Sequence, residues 1–331
     1  MKNYLLTIAI PTYNRENLVR RLLKSITPEL NDDVEVLVCD NASTDNTEHM
    51  ISFEFPNVIY YRSSVNMGAD RNFLECYKKA RGEYVWLVGS DDIVIEGAID
   101  RILTFIKENS SKMCPLIFLN HTSFCGEYKG VNNCGKAFLN IQRKDVILST
   151  KQELIKYAGR QLTFMSDFLL RNDSVKKITQ KERYIGTNFI QTYFAFDVSK
   201  GDRKFGIIFY PCVAQDMTPN NSLLYQDYVK LFKIFGPDMY SVYVIHACED
   251  GFDYNQMRGA FIKGMRRIYV SWFLRAKASN NEEGVKAFWD DVYPILKKYH
   301  LSWLTVFPVA AMPSRVIKAY YTLKRCSESD E

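Results

Sequence analysis

The sequence predicts an α/β fold: a mainly parallel central sheet with helices on both faces, followed by a helical C-terminal region. Three observations predict it. Over the first 120 residues, short and nearly continuous apolar runs alternate with segments whose apolar residues recur at helical spacing, as in buried strands joined by crossover helices. The first four apolar runs each pass into a polar loop. From about residue 222 onward the pattern is mostly helical, punctuated by Pro237, Pro294, Pro308 and Pro313.

The strand candidates, in order, are Leu5 to Ile10, Val34 to Cys39, Val58 to Arg62, Tyr84 to Val88 and Leu116 to Leu119. After the first, Asn14 is an expected helix N-cap, and Leu18, Leu22, Leu23 and Ile26 fall on one face while Arg15, Arg20, Arg21 and Lys24 stay solvated. Helices are also expected over Asp70 to Ala80 and Gly97 to Lys107. Between 121 and 215 the signal is mixed, with turns around Gly126, Gly130 and Gly135 and a short strand at Phe205 to Tyr210. The expected organisation is a domain over 1–221, divided into halves 1–120 and 121–221, and a helical region over 222–331.

Composition narrows the function. Of 331 residues, 47% are hydrophobic and 24% charged, which excludes a disordered or collagen-like chain. The eight cysteines show no Cys-x-x-Cys pair and no zinc-finger partner histidine, so free thiols in a reducing, cytoplasmic compartment are expected. No apolar run is long enough for a membrane span or a signal-peptide core. Net charge is +5, but 13 Lys+Arg stand against 4 Asp+Glu between 255 and 325, so the positive excess lies at the C-terminal end.

In a doubly wound sheet, ligands bind beyond the carboxyl ends of the strands. Four loops meet that condition: Pro11-Thr12-Tyr13-Asn14-Arg15, Asp40-Asn41-Ala42-Ser43-Thr44-Asp45, the stretch from Asn66 to Asn72, and Gly89-Ser90-Asp91-Asp92. Two adjacent carboxylates at the end of a buried strand repel unless a cation joins them, and a divalent ion completed by substrate phosphates suits Asp91 and Asp92. The plainer alternative makes Asp92 a helix cap and Asp91 a solvated residue. Asp40 can accept from the imide or amine of a pyrimidine, or simply form a turn. Tyr13 offers a ring for stacking. Arg71, on the first turn of a helix, can reach a diphosphate or stay solvated.

The segments IAIPTYNRENLVRRLLKSI, VEVLVCDNASTDNT, NMGADRNF and GEYVWLVGSDDIV, in this order, resemble the nucleotide-binding half of family 2 glycosyltransferases of the GT-A fold over about residues 4 to 110. The resemblance implies a nucleotide-diphosphosugar donor. Tyr13 and Asp40 would lie at the base, Asn66, Gly68 and Arg71 near ribose and diphosphate, and Asp91 at the diphosphate, with Pro11, Thr12, Arg15 and Ser90 in the same nucleotide-sugar site. Asp91 and Asp92 would then hold Mg²⁺ or Mn²⁺. One departure stands out: the family often has Asp-x-Asp-Asp where this chain has Gly89-Ser90-Asp91-Asp92.

An inverting transfer also needs a carboxylate base. The Glu-Asp pair that family members commonly carry at a helix start is missing, and the corresponding stretch reads Gly186-Thr187-Asn188-Phe189-Ile190-Gln191. Asp167 is the first candidate and Asp216 the second. The four histidines are not clustered in sequence.

At the C-terminal end, Phe261, Lys263, Arg266, Arg267, Tyr269, Trp272, Phe273 and Arg275, then Trp303, Phe307, Arg315, Lys318, Tyr320, Tyr321, Lys324 and Arg325, interleave apolar and basic side chains. This suits a helix lying on an anionic membrane surface or a bundle packed on the domain. No nucleic-acid motif accompanies it.

The expectation is a metal-dependent glycosyltransferase that moves a sugar to a surface-polysaccharide or O-antigen-like acceptor of the kind a polyprenyl lipid can carry. It would work in the cytoplasm, peripheral on the inner face of the membrane. The alternative is a catalytically inactive, membrane-associated scaffold. A dinucleotide enzyme is disfavoured because Gly-x-Gly-x-x-Gly is absent after the first strand.

Overall fold

A computed structural model describes residues 4–201, 203–218, 227–297 and 311–317. The first half alternates as the apolar pattern requires: β1 (Leu6–Thr12), α1 (Glu16–Ile26), β2 (Val34–Asp40), α2 (Thr47–Glu54), β3 (Ile59–Arg62), α3 (Ala69–Lys79), β4 (Tyr84–Leu87), β5 (Ile93–Val94) and α4 (Ala98–Glu108). The second half contributes β6 (Leu116–Phe124), β7 (Val146–Leu148), α5 (Lys151–Ala158), β8 (Phe168–Arg171), α6 (Asn172–Lys176), α7 (Ile190–Asp197) and β9 (Phe205–Asp216). Among the described residues, the α-helices that follow include α8 (Tyr228–Lys233), α9 (Ala247–Glu249), α10 (Tyr254–Ala278), α11 (Glu282–Ala287) and α12 (Tyr293–Leu296).

The sheet runs β3-β2-β1-β4-β8-β6-β9-β5, with β7 also pairing with β9. β1 to β4 are parallel, β8 is antiparallel to both neighbours, and β6 and β9 are parallel. Alternate side chains of a strand point to opposite faces, so one strand feeds two cores. Leu6, Ile8, Ile10, Val36, Val38 and Trp86 pack with Val19, Leu22 and Leu23 of α1 and Ile99, Ile102 and Leu103 of α4. Ala9, Leu37, Cys39, Val85 and Leu87 pack with Phe73 and Leu74 of α3 and with the C-terminal helices.

Three boundaries differ from expectation. Asn14 is not the N-cap of α1; it takes a left-handed φ of +52°, and the helix begins at Glu16. The first free N–H of α1, that of Glu16, is met by the Asp45 carboxylate of the next loop at 3.0 Å, which also favours the positive end of the helix dipole. β6 and β9 run past their expected ends, with a register shift at Leu119 to His121. There the Asn120 amide donates to Phe209 O at 2.7 Å, re-joining a ladder that the bulge interrupts.

The aromatic and basic pattern of α10 also resolves. Its apolar stripe of Met257, Phe261, Met265, Tyr269 and Phe273 is buried in the core that holds Ala9, Leu37 and Val85. Each such side chain withdrawn from water contributes roughly 1.5–3 kcal/mol. This part of the pattern is core, not lipid-facing, while Lys263, Arg266, Arg267 and Arg275 stay exposed. Trp303, Phe307, Lys318, Tyr320, Tyr321, Lys324 and Arg325 lie outside the described residues. Among the described residues, no helix is long and apolar enough to cross a membrane.

Candidate active site

Beyond the carboxyl ends of β1, β2 and β4 lies a cleft of about 990 Å³. The four polar loops meet in it: Pro11, Thr12, Tyr13 and Arg15 after β1, Asn41 and Asp45 after β2, Asn66, Gly68 and Asn72 before and within α3, and Gly89, Ser90 and Asp91 after β4. Tyr13 is 42% exposed on the rim, its ring available for stacking. Gly68, at φ +83°, precedes α3 in a conformation that favours glycine. The loop around it is tied down by Asn41, whose Nδ2 donates to Asn66 Oδ1 at 2.8 Å and whose Oδ1 accepts from Met67 N at 2.8 Å.

Two polar atoms in the wall have no partner among the described residues. Thr12 Oγ1 and Asn72 Oδ1 are buried without a hydrogen bond, although Asn72 Nδ2 is held by Cys39 O at 2.9 Å. Buried polar atoms normally find partners, so their place in a cleft wall suits a polar ligand. Asn72 did not stand out in the sequence because nothing local distinguishes it from any polar residue on a helix.

The two aspartates after β4 have different partners. Asp91 faces the cleft, and its Oδ2 lies 2.9 Å from Arg15 Nη1. Asp92 is turned inward and is 2% exposed; its Oδ2 accepts from Ser166 Oγ at 2.6 Å, and the same Oγ accepts from Gly89 N at 2.9 Å. Burial, reinforced by the charge of Asp91, pushes the Asp92 carboxyl well above the usual carboxylate range. Of the expected metal pair, Asp91 faces the cleft and Asp92 is held by Ser166. The two carboxylates nonetheless stay close at Gly89, where a Cβ would sit 2.8 Å from Asp92 Oδ2 and 3.1 Å from Asp91 Oδ1, so the lost first acidic position and the inward carboxyl go together.

The donor set still fits a hard cation in reduced form. Mg²⁺ and Mn²⁺ accept one carboxylate with substrate oxygens and water completing the shell, and Asp91 is a cleft-facing carboxylate beside unpartnered oxygens. The other carboxylates of the cleft are committed. Asp45 receives the N–H groups of Glu16 and Thr47, and Glu16 pairs with Arg20 at 2.7 Å. Elsewhere among the described residues, Asp197, His246 and Asp250 bring ligand atoms within 4.8 Å of one another, but Lys200 Nζ, 3.1 Å from Asp250, already supplies the positive charge.

Asp40, Arg71 and both base candidates lie off this cleft. Asp40 is fully buried at the end of β2, with Oδ1 accepting from Ser43 N at 2.8 Å and Oδ2 from Tyr60 Oη at 2.5 Å. Arg71 faces outward, 3.7 Å from Glu182. Its neighbour Asp70 does the work of this turn: its carboxylate accepts from Gly186 N at 2.7 Å, Asn188 N at 2.8 Å and Ile190 N at 3.2 Å, fastening the two halves of the domain together.

Asp216 is buried and ion-paired with Arg21 at 2.8 Å. Burial alone would raise its carboxyl, but hydrogen bonds from Thr218 and the Arg21 partner more than offset this and hold it below the usual range, which suits a structural anion and not a base. Asp167 is also fully buried; burial pushes its carboxyl up to about 6, against the pull of His121, whose Nδ1 lies 2.9 Å away. The pair His121 and Asp167 was invisible in sequence because a register shift in β6 and a turn before β8 bring together residues 46 positions apart.

A mixed sheet with polar loops gathered beyond the ends of its parallel strands, and helices packed on both faces, defines an α/β fold of the GT-A type. The Glycosyl transferase family 2 model matches residues 7–169. Residues 7–169 belong to glycosyltransferase family 2. It is 30% identical over 208 residues to the abequosyltransferase RfbV of Salmonella typhimurium, covering 59% of this chain and 61% of that protein. It is 28% identical over 153 residues to the UDP-Glc:alpha-D-GlcNAc-diphosphoundecaprenol beta-1,3-glucosyltransferase WfgD of Escherichia coli, covering 43% of this chain and 60% of that protein. The chain thus spans about three fifths of the length of these two relatives. In fold it is similar to S. aureus TarS 1–349 in complex with UDP-GlcNAc, with a TM-score of 0.60 and 16% identity over 95% of this chain and 88% of that one. It is also similar in fold to the mannosyltransferase PcManGT from Pyrobaculum calidifontis in complex with GDP-Man and Mn²⁺, with a TM-score of 0.51 and 13% identity over 95% of this chain and 83% of that one.

Proposed function

We propose that this chain transfers a sugar from a nucleotide-diphosphosugar donor to a glycan acceptor, in the assembly of a surface polysaccharide or O-antigen-like chain. The observation that carries the reading is the convergence of the four loops on one cleft, with an exposed aromatic ring, a cleft-facing carboxylate and unpartnered polar atoms. Tyr13 stacks on the base. Asn72 and Thr12 meet the hydroxyls of the ribose, and the backbone around Gly68 lies along the diphosphate. Asp91, with oxygens of the donor, would hold Mg²⁺ or Mn²⁺, which supplies charge neutralisation at the leaving diphosphate. Arg15, now paired with Asp91, gains an anionic partner when the donor arrives.

Proton removal falls outside this cleft, because Asp45 and Glu16 are already paired and Asp91 is given to Arg15 and the cation. His121, its ring oriented by Asp167, is the group we assign to receive the acceptor proton. The curated names of relatives that act on diphosphoundecaprenol-linked glycans support a lipid-linked acceptor, and with it a working position at a membrane surface.

A thermal-shift panel of UDP-, dTDP-, GDP- and CDP-sugars, with and without Mn²⁺, tests the donor reading, since a ligand bound only by the folded state raises Tm. One nucleotide class should raise Tm, more so with Mn²⁺, and Asp91→Asn should remove the Mn²⁺-dependent part. No rise with any donor contradicts the proposal. The second reading, an inactive scaffold that keeps the donor cleft, draws on the absence of a carboxylate base from that cleft. Release of free nucleoside diphosphate from the donor that raises Tm excludes it.

A further inference from the structure

A second cavity of about 950 Å³ is linked to the first through one short stretch of chain, residues 165–167. Met165 lines the first cleft, Ser166 holds Gly89 and Asp92 in its floor, and Asp167 holds His121, which lines the second cavity. His121 is 8% exposed, stacked on Phe138 with ring centroids 5.3 Å apart. The two spaces are therefore neighbours across three residues.

The charge of the second cavity is one-sided. Lys136, from the loop after β6, Lys156 of α5, Arg160 and Lys263 of α10 all line it. The three lysines are exposed and form no ion pair among the described residues. The carboxylate in the lining, Glu153, is already engaged as the capping partner of Thr150, accepting from the N–H groups of Ser149 and Thr150 at 3.1 Å each. The Arg160 stem crosses α10 at Gly264, where a Cβ would lie 2.1 Å from Arg160 Cδ; the glycine is what lets this side chain into the cavity. Cations drawn from separate elements around one concave space repel one another and raise the local concentration of anions. Lysine and arginine together match the several oxygens of a phosphate better than a single carboxylate does.

We infer that this cavity receives the phosphate group of a phosphate-bearing acceptor, a phosphodiester or diphosphate carried next to the glycan whose hydroxyl is to be modified. The inference rests on reading the first cleft as the donor site, which makes the adjoining space the acceptor's. A volume near that of the donor cleft also exceeds what a lone phosphate fills, so the anion belongs to a larger molecule.

The test is calorimetric, on the full chain with the nucleoside diphosphate of its donor present at saturation. Two charged probes are compared with neutral partners: geranyl diphosphate with geraniol, for a polyprenyl source, and a glycerol phosphate trimer with triglycerol, for a soluble polymer source. At least one charged probe should bind where its neutral partner does not, and Lys156→Gln with Lys263→Gln should weaken that binding by about tenfold or more, leaving nucleotide affinity unchanged. Both lysines are exposed on helices, so the double variant keeps the fold. The inference falls if neither charged probe binds, if charged and neutral partners bind alike, or if the double variant binds the probe as the parent does. Failure of the donor reading looks different: no nucleotide binds, whatever the probes do.

Discussion

The two cavities are built by different routes. In the first cleft, the polar residues sit at or next to the ends of the strands and helices of the first 120 residues, so a parallel sheet brings Thr12, Asn41, Gly68 and Asp91 to one rim by topology alone. On the other side, the key pairs join distant segments: His121 with Asp167, Arg160 with Gly264, and Asp70 with the N–H groups of residues 186 to 190. A site set by topology tolerates changes in individual side chains. A site set by long-range pairs is coupled to the stability of the whole domain.

That contrast breaks most sharply at Asp70. Asp70→Ala leaves three backbone N–H groups without an acceptor, that of Ile190 buried and the other two less so, and each loss of a buried partner costs roughly 1–3 kcal/mol. We expect a loss on the order of 3 kcal/mol in denaturant unfolding, larger than for any single polar side chain lining the cleft. A loss below about 1 kcal/mol would mean that the two halves are joined by other means.

Asp167 gives a pH-dependent effect of the next size. Its carboxyl titrates at about 6 in the fold against an ordinary value of 3.8, because burial disfavours the charge. The folded state thus holds the proton more tightly, so the stability this group contributes is complete below about 3.8 and is lost as pH rises through about 6. Asp167→Asn cannot titrate. Unfolding free energies measured between pH 4 and pH 7 should show the variant gaining on the parent across this window by up to roughly 3 kcal/mol. A constant difference would show that His121 keeps the carboxyl ionised throughout.

The same contrast explains what the sequence could tell. The strand and helix order of the first 120 residues follows from apolar periodicity, and so do the loops that meet at the cleft. Which side chain of a loop turns toward the ligand does not follow. Asp40 and Asp92 read as site residues because acids at strand ends often are, yet Tyr60 claims one and Ser166 the other, and both partners come from elsewhere in the chain. Gly89 held the clue to Asp92, since the absent first acid leaves room for an inward carboxyl. The stripe of α10 was ambiguous for a different reason: a helix that covers a core and one that covers a membrane need the same amphipathic spacing, and only packing against Ala9, Leu37 and Val85 decides.

The smallest expected effect sharpens the comparison from the donor side. Tyr13 is 42% exposed at the mouth of the cleft, and among the described residues its hydroxyl makes no hydrogen bond. Its ring supports little of the fold, so Tyr13→Ala should change unfolding free energy by no more than about 0.5 kcal/mol. If the ring stacks on a base, the same substitution weakens nucleotide binding by roughly 1–3 kcal/mol, while Tyr13→Phe, which keeps the ring face, binds within about twofold of the parent. Calorimetry with the free nucleoside diphosphate, without metal, isolates the contact, because stacking needs neither the diphosphate's cation nor the sugar. Equal weakening in both variants would move the contact from the ring to the hydroxyl, and no weakening in either would shift base recognition to the Asn41 and Asn66 side of the cleft.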